Sequence, residues 1–288
     1  MAIRKICVLG TGTMGSGIAQ VAATAGFETA LFDVSEDQLQ SALDGIRRRL
    51  DRSVAKGRLT EAEADLAQGR LRISHDLGEA ARDADYVIEA IPEKLELKRE
   101  TFTTLEGIVE PHCVLGTNTS TFMISAIAEP LQDPARMVGI HFFNPVPVMR
   151  LIEVVMGPKT SESAYESTLV VARAMKKETV RVSEAPGFVT SRINALIGNE
   201  AFRIWEAGIA SAADIDTALK LGLNHPMGPF EMVDLVGLDA RLNNLRSLYE
   251  ALGDEAYRPS PLLEKLVAEG RLGRKSGQGV YRYDAEGK

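Results

Sequence analysis

The stretch Ile6-Cys7-Val8-Leu9-Gly10-Thr11-Gly12-Thr13-Met14-Gly15 decides the fold of this chain, together with Ala30-Leu31-Phe32-Asp33 downstream. An apolar strand runs directly into glycines at the G-x-G-x-x-G spacing, and a helix-forming segment follows. Gly10 permits a tight turn, Gly12 lets a phosphate approach the backbone, and Gly15 allows close helix packing. The order strand, turn, helix, strand predicts a dinucleotide site, with Thr13 and Met14 at a helix N-terminus that favours an anion.

Asp33 ends the second apolar run about 20 residues after the glycines, where such folds place an acidic residue on the ribose. Its carboxylate can accept hydrogen bonds from the ribose 2′-hydroxyl and would repel a 2′-phosphate. An ordinary solvated strand end is the alternative interpretation. The position favours NAD over NADP.

Bulk composition indicates a globular protein. Of 288 residues, 45% are hydrophobic and 25% are charged, and a chain of this length is expected to form two domains. The net charge of -7 argues against nucleic acid as a partner, because a phosphate backbone requires a basic surface. No apolar run approaches the length of a membrane span, so we expect no membrane partner.

The two cysteines, Cys7 and Cys113, have neither disulfide nor metal-ligand spacing. We therefore expect a reducing compartment and no metal site. The apolar run after Arg4-Lys5 ends at Leu9, which is too short for a secretory signal. The sequence predicts a cytoplasmic protein.

Up to about residue 183, short apolar runs alternate with amphipathic helical segments, which is typical of parallel strands with crossover helices. The predicted strands cover residues 6–9, 29–32, 86–90, 114–117, 138–142 and 152–155. A Pro186-Gly187 turn then leads into helical segments, which places a domain boundary between residues 185 and 186. The predicted fold class is α/β, a Rossmann-type, largely parallel sheet in domain 1–185 with an all-α C-terminal domain, 186–288.

A polar insertion, residues 35–83, separates the second and third predicted strands and has helical patterning. It contains Arg52 and Lys56, one turn apart on a helix. Charge runs of this kind usually form a solvated face. The alternative is a cationic clamp for a phosphorylated substrate tail.

Hydride chemistry needs a group that moves the accompanying proton, and imidazole is suited to this at neutral pH. His141 stands at the end of the apolar run 137–140, at the sheet edge where open α/β sheets bind ligands. Glu153 lies inside the next apolar strand, where a carboxylate is costly unless it is paired. We predict that Glu153 pairs with His141 and orients its ring. A structural salt bridge elsewhere is the alternative for Glu153.

Ser120 follows the strand 114–117 at the same edge of the sheet. Its hydroxyl is placed to meet a substrate oxygen. An N-cap of the helical segment 124–128 is the competing role, because serine favours that position. The two roles are compatible.

These motifs together resemble the L-3-hydroxyacyl-CoA dehydrogenase family, in particular its short stand-alone 3-hydroxybutyryl-CoA type. The resemblance spans nearly the whole chain. It rests on the glycine turn and on the following segments: Glu89-Ala-Ile-Pro-Glu93 with Lys98, Asn118-Thr-Ser120, His141-Phe-Phe-Asn-Pro-Val-Pro147, Pro186-Gly-Phe188, His225-Pro-Met-Gly-Pro-Phe230 and Gly273-Arg-Lys-Ser-Gly277.

The resemblance implies reversible, NAD-dependent oxidation of an L-3-hydroxyacyl-CoA to the 3-ketoacyl-CoA. It implies that His141 is the general base, that Glu153 orients it, and that Ser120 binds the reacting oxygen. The positions that it implies for cofactor contacts, beyond the glycine turn, are Asp33, Gln38, Glu93, Lys98 and Asn144. Arg52 and Lys56 fall where the family has basic contacts to the CoA tail, which favours the clamp.

One segment departs from the family pattern. After Pro-Gly-Phe the family commonly has Val-Asn-Arg, whose asparagine bonds the substrate, whereas this chain has Val189-Thr190-Ser191-Arg192. Ser191 is shorter and would donate directly or through water, or Asn194 on the next helical turn would reach the same space. The resemblance also implies a homodimer formed through the C-terminal helical domain.

Two rival functions remain at the level of sequence. One is a related dehydrogenase that acts on a hydroxy acid or sugar acid without CoA. The other is a non-catalytic, NAD-binding regulator that keeps the fold. The joint presence of His141, Glu153 and Ser120 favours an enzyme.

Overall fold

The computed structural model describes residues 3–283. The chain divides into two compact units, Met1–Ala185 and Pro186–Lys288. Each unit has its own cluster of buried apolar side chains.

The first unit is built on one eight-stranded sheet with the order β3-β2-β1-β4-β5-β6-β7-β8. Its strands are β1 Lys5–Leu9, β2 Glu28–Phe32, β3 Leu71–Ser74, β4 Tyr86–Glu89, β5 Val114–Thr117, β6 Met137–Phe142, β7 Leu151–Met156 and β8 Glu178–Ser183. All neighbouring strands are parallel except β6 and β7, which are antiparallel. The predicted α/β fold class is confirmed.

The helices of this unit are α1 Thr13–Thr24, α2 Glu36–Ala55, α3 Glu61–Gly69, α4 Leu77–Ala81, α5 Leu95–Glu106, α6 Ile124–Ala128 and α7 Glu162–Ala174. β1, β4, β5 and β6 are buried along nearly their whole length, which explains their continuous apolar runs. The strand order reverses at β1, which lies between β2 and β4. Such a reversal opens a crevice at the carboxyl ends of the strands.

Two strands were not predicted, and the physical reason is the same for both. β3, Leu71-Arg72-Ile73-Ser74, and β8, Glu178–Ser183, are the two edge strands, and their sequences are correspondingly polar. The insertion 35–83 is therefore not wholly helical: it contains α2, α3 and α4 with β3 between the last two. A second departure is that no helix connects β6 to β7, because that pair is antiparallel.

The second unit consists of the helices α8 Thr190–Glu206, α9 Ala212–Gly222, α10 Pro229–Val236, α11 Leu238–Leu252 and α12 Pro261–Ala268. Its core contains Phe202, Trp205 and Phe230, whose rings lie within 6.4 Å of one another, centroid to centroid. In the described part of this unit the only β pairing is two isolated bridges, between Gly273 and Gln278 and between Gln278 and Arg282.

The longest helices of the described chain, residues 3–283, are too polar or too short to span a lipid bilayer.

Candidate active site

The glycine turn has the geometry that a dinucleotide pyrophosphate requires. Gly10 has φ +84°, and a Cβ there would lie 2.6 Å from the Ala90 carbonyl oxygen, while a Cβ at Gly15 would lie 1.8 Å from the carbonyl oxygen of Gly10. A Cβ at Gly12 would meet nothing within 4 Å. Close packing therefore requires glycine at positions 10 and 15, whereas Gly12 leaves space beside the backbone.

The N-terminus of α1 follows this turn without a side-chain cap. Gly12 is the N-cap residue, no side chain bonds the first N–H groups, and the first turn has no acidic residue. Thr13 is exposed and Met14 is half-buried. An uncapped helix N-terminus beside an open backbone position fits the phosphates of NAD.

Asp33 follows β2 and is bonded to the glycine turn. Its Oδ2 accepts hydrogen bonds from the Thr11 backbone N–H at 2.9 Å and from Thr11 Oγ1 at 2.8 Å, and its Oδ1 accepts from Ser35 N at 3.2 Å. Two carboxylate oxygens have about four lone-pair sites, so three protein bonds leave capacity for a ribose hydroxyl. Gln38 lies in the first turn of α2, where its backbone N–H bonds Ser35 Oγ, and its side chain is exposed. The cofactor contacts of both residues stay predictions.

His141 and Glu153 are direct partners across β6 and β7. His141 Nδ1 lies 2.7 Å from Glu153 Oε2, and Glu153 is fully buried. An ionised carboxylate only accepts, so Nδ1–H donates to Glu153, and in the neutral ring this tautomer has its lone pair on Nε2. The predicted contact of Glu153 with His141 is present.

The antiparallel register explains how this pair forms. Residue 141 lies opposite residue 153 in the ladder, so both side chains project to the same face. β7 begins at the edge where β6 ends, which puts the pair at the carboxyl edge of the parallel strands. The Phe143 ring lies 4.7 Å from the imidazole, centroid to centroid, and packs against it.

Ser120 lies in the loop after β5, and its hydroxyl is exposed. It does not cap α6: the N-cap residue of that helix is Met123, and it makes no side-chain cap bond. The capping role considered for Ser120 is therefore wrong, because the helix starts later than a serine cap would require. The backbone N–H of Ser120 instead donates to Glu93 Oε1 at 3.1 Å.

Glu93 and Lys98 form one buried charge cluster with Glu89. Lys98 Nζ lies 2.6 Å from Glu89 Oε1 and 3.0 Å from Glu93 Oε2, and the Lys98 side chain has 0% exposure. Burial raises the pKa of the Glu89 carboxyl above its ordinary range, although Lys98 opposes this shift. Glu93 is partly exposed and stands between Lys98 and solvent. Cofactor contacts by Glu93 and Lys98 stay predictions.

Asn144 is exposed in the segment after β6. Val146 holds this segment in two ways. Its side chain lies so close to Gly17 that a Cβ there would be only 3.0 Å from it, and its carbonyl accepts from Lys177 Nζ at 2.5 Å. Lys177 also bonds the Met149 carbonyl at 2.6 Å, so one ammonium group fixes both ends of the turn. The contact of Asn144 with NAD stays a prediction.

Arg52 lies in the last turn of α2 and Lys56 is the C-cap residue of that helix. Both side chains are exposed. The neighbouring Arg49 has a different role: its Nε donates to Gln20 Oε1 at 2.6 Å and ties α2 to α1. Arg52 and Lys56 therefore face solvent, as both the clamp and the solvated-face interpretations require.

Ser191 and Asn194 belong to the first turns of α8 in the second unit. Both side chains are half-buried. Their contacts with substrate stay predictions.

Sequence reasoning missed the groups that hold these loops. Asn118 Oδ1 accepts from the Phe142 backbone N–H at 2.8 Å, and Thr119 Oγ1 lies 2.5 Å from Glu93 Oε1. A run of polar residues directly after a buried strand was the available signal, because a loop at a strand end must satisfy its own backbone groups. Lys177 gave no such signal, since its partners are main-chain carbonyls.

Comparison with known proteins supplies the family. The model of the "3-hydroxyacyl-CoA dehydrogenase, NAD binding domain" matches residues 5–185, and the model of the C-terminal domain of the same enzyme matches residues 187–283. The chain belongs to the 3-hydroxyacyl-CoA dehydrogenase family. This family is NAD-dependent, so the predicted cofactor and enzyme class are confirmed.

Members of the 3-hydroxyacyl-CoA dehydrogenase family resemble this chain over its full length. A probable 3-hydroxybutyryl-CoA dehydrogenase of Bacillus subtilis is 45% identical and covers 99% of both chains. A 3-hydroxybutyryl-CoA dehydrogenase of Bradyrhizobium diazoefficiens is 40% identical over 98% of this chain and 96% of its own. The solved (S)-3-hydroxybutyryl-CoA dehydrogenase of Ralstonia eutropha has a TM-score of 0.95 at 38% identity, covering 98% of this chain and 100% of its own.

Proposed function

We propose that this dehydrogenase interconverts a short-chain L-3-hydroxyacyl-CoA, in particular 3-hydroxybutyryl-CoA, and its 3-keto ester, with His141 as general base. The 2.7 Å contact between His141 Nδ1 and buried Glu153 carries the proposal. The names of the two bacterial relatives and of the solved neighbour support the short acyl chain.

In the oxidation direction, Nε2 of His141 takes the proton of the 3-hydroxyl group. Glu153 accepts from Nδ1 and stabilises the imidazolium that results. When bound, NAD⁺ supplies the acceptor for the hydride from C3. Ser120 donates a hydrogen bond to the oxygen that becomes the ketone, and in the reverse direction His141 returns the proton to it.

Substrate recognition in this proposal uses Arg52 and Lys56 as contacts for the CoA phosphates, with Ser191 or Asn194 at the acyl part. The exposed cations at the end of α2 support the first contact. The first unit would hold NAD, and the second unit would contribute to substrate binding and to a homodimer. Leu221 and Leu223, which are 82% and 67% exposed at the end of α9 in the second unit, are the positions that we propose for this contact.

We also propose a cytoplasmic location. Cys7 and Cys113 are both buried, free thiols, which agrees with a reducing compartment.

The substitution His141→Ala tests the general base. Turnover of 3-hydroxybutyryl-CoA should fall by about 10²- to 10⁴-fold. The dissociation constant of NAD should stay near that of the parent, because the change affects the proton transfer. Steady-state kinetics and NADH titration measure the two quantities. Unchanged turnover in a folded variant would eliminate the proposed base.

Glu153→Gln tests the orienting carboxylate in the same assay. Its kcat should fall less than that of His141→Ala, because the base remains but its imidazolium is no longer stabilised by a charge. Glu178→Gln is a suitable control, since Glu178 is an exposed carboxylate at the start of β8.

A series of 3-ketoacyl-CoA esters of increasing length, assayed with NADH and NADPH in parallel, tests the preference for a short acyl chain and for NAD over NADP.

A further inference from the structure

A buried polar network contacts the loop that carries Ser120, and the proton transfer proposed above does not use it. Lys98, fully buried, bonds the carboxylates of Glu89 and Glu93. Glu89 also accepts from Thr117 Oγ1 at 2.6 Å and from the Ile91 backbone N–H at 2.8 Å. A buried ammonium group is costly unless several partners hold it, so this cluster fixes its members in place.

Glu93 transmits this fixed position to the loop. Its Oε1 accepts from Thr119 Oγ1 at 2.5 Å, from Ser120 N at 3.1 Å and from Thr121 N at 3.2 Å. Its Oε2 bonds Lys98. One carboxylate therefore ties three successive loop residues to the buried lysine.

Thr119 is the central member of the loop. It is 1% exposed, and its hydroxyl donates to Glu93 and accepts from the backbone N–H groups of Thr121 and Phe122 at 3.2 and 3.0 Å. The Ser120 side chain is exposed, and within the described part of the first unit its Oγ has one hydrogen-bonding neighbour, Thr121 Oγ1 at 3.5 Å. The position of the Ser120 hydroxyl is thus set by the backbone, and Thr119 sets the backbone.

We propose that Thr119, held by Glu93 and Lys98, is a positioning residue that places the Ser120 hydroxyl for the substrate oxygen. This inference rests on the proposed function. Ser120 is the catalytic residue that touches substrate, and Thr119 acts through it. The threonine hydroxyl is needed in both of its capacities, as donor to the carboxylate and as acceptor for the following turn.

The test is a double-mutant cycle with Thr119→Val and Ser120→Ala. Valine keeps the branched shape of threonine and removes the hydroxyl. Thr119→Val alone should lower kcat about tenfold and leave KM within about twofold, because the contact is used in the reaction rather than in binding. In the Ser120→Ala background the same substitution should change kcat by less than about twofold. Thr119→Ser should restore most of the parent activity.

Thr168→Val is the matched control. Thr168 is equally buried, and its hydroxyl bonds the Ala164 carbonyl and Tyr86 OH, each at 2.8 Å, within the core of the same unit. Its kcat should equal that of the parent, and circular dichroism should show both valine variants folded. An equal fold-loss from Thr119→Val in both backgrounds would overturn the positioning role, as would full activity of Thr119→Val.

Failure of this inference is separable from failure of the proposed function. If His141→Ala keeps its turnover, the proposed general base is wrong. If His141→Ala loses activity while the cycle is additive, the base stands and the role of Thr119 is overturned. A Ser120→Ala variant with parent activity overturns the inference as well, since Thr119 would then have no catalytic residue to position.

Discussion

At the scale of single residues, the site depends on carboxylates that hold other polar groups in place. Glu153 bonds His141, and Glu89 with Glu93 bonds Lys98. A carboxylate inside an apolar strand was a strong sequence signal, because its burial is costly without a partner. The pairing of Glu153 was therefore predictable, whereas the partners of Glu93 were not, since they include loop N–H groups that carry no residue-specific signal.

The proposed CoA contact predicts a substrate-dependent effect of charge reversal. The double variant Arg52→Glu, Lys56→Glu should raise KM for 3-hydroxybutyryl-CoA about tenfold or more, because charge-assisted bonds to phosphate are lost. Any turnover of free 3-hydroxybutyrate should be unaffected. Steady-state kinetics with both compounds measures this difference.

The control for that variant is Arg173→Glu, Lys176→Glu, at the end of α7 near the opposite edge of the sheet. It makes the same change in net charge and should leave KM for the CoA ester unchanged. Equal effects of the two variants would mean that only the overall charge matters, and the clamp would be rejected in favour of a solvated face.

At the scale of elements, the strand-turn-helix unit was predictable because each glycine has a separate steric reason. Gly10 and Gly15 are required by close backbone approach, and Gly12 borders open space. The buried strands were predictable from their apolar runs. The edge strands β3 and β8 were not, because each has exposed residues on both faces and its sequence therefore resembles that of a loop or a helix surface.

Gly15 and Gly12 predict opposite outcomes for the same substitution by alanine. Gly15→Ala should prevent correct folding, since its Cβ would lie 1.8 Å from the Gly10 carbonyl oxygen. Gly12→Ala should fold normally and weaken NAD binding about tenfold, or about 1.4 kcal/mol, because its Cβ would enter the space of the pyrophosphate. Thermal unfolding and NADH titration separate the two effects.

Gly69→Ala serves as the reference substitution, because a Cβ there also meets nothing within 4 Å and lies away from the glycine turn. It should change neither stability nor NAD affinity appreciably. Parent-like NAD affinity of Gly12→Ala would contradict the assigned phosphate site.

The start of α10 predicts a pH-dependent contribution to stability. Glu231 Oε1 bonds Lys220 Nζ at 2.6 Å and Glu231 Oε2 accepts from the Gly228 N–H at 3.0 Å, and these bonds hold the pKa of the Glu231 carboxyl below its ordinary value. A lowered pKa in the folded state stabilises the protein above the ordinary carboxyl pKa, and this contribution is lost as the pH falls through the lowered pKa. Glu231→Gln should therefore cost about 1 kcal/mol near neutral pH and progressively less in acid.

Trp205 provides the measurement, since it is the only tryptophan of the chain and its ring lies 5.5 Å from that of Phe230, centroid to centroid. Its fluorescence follows denaturant unfolding of the second unit at several pH values. Glu250→Gln, an exposed change on α11, should show no pH-dependent difference from the parent. A deficit of Glu231→Gln that persists undiminished in acid would refute the assignment.

At the scale of the whole molecule, the two units divide the residues of the proposed reaction between them. His141, Glu153 and Ser120 belong to the first unit, whereas Ser191 and Asn194 belong to the second. The sequence indicated a change from alternating strands to helices near Pro186-Gly187. The sequence carried no direct signal for oligomeric state, because whether a leucine is exposed or buried becomes known only from the packing of the helices.

The proposed homodimer predicts a mass of twice 31.2 kDa in solution. Leu221→Glu with Leu223→Glu should shift the protein toward the monomer, because two charges would have to be desolvated at the interface. Light scattering after gel filtration measures the mass. Val170→Glu, at an exposed apolar position on α7, should leave the mass unchanged. A parent protein that runs as a monomer would refute the dimer.

The pairing of His141 with Glu153 across β6 and β7 links the assembly of the sheet to the chemistry of the site. A slip of one position would set Ile152 or Val154 against the imidazole and turn the acid to the opposite side of the sheet. β7 is buried on both faces, so a slip would leave the Glu153 carboxylate buried without its imidazole partner, which is costly. The correct strand alignment is therefore the one in which the buried acid meets its partner, and a misaligned molecule would lose stability as well as activity.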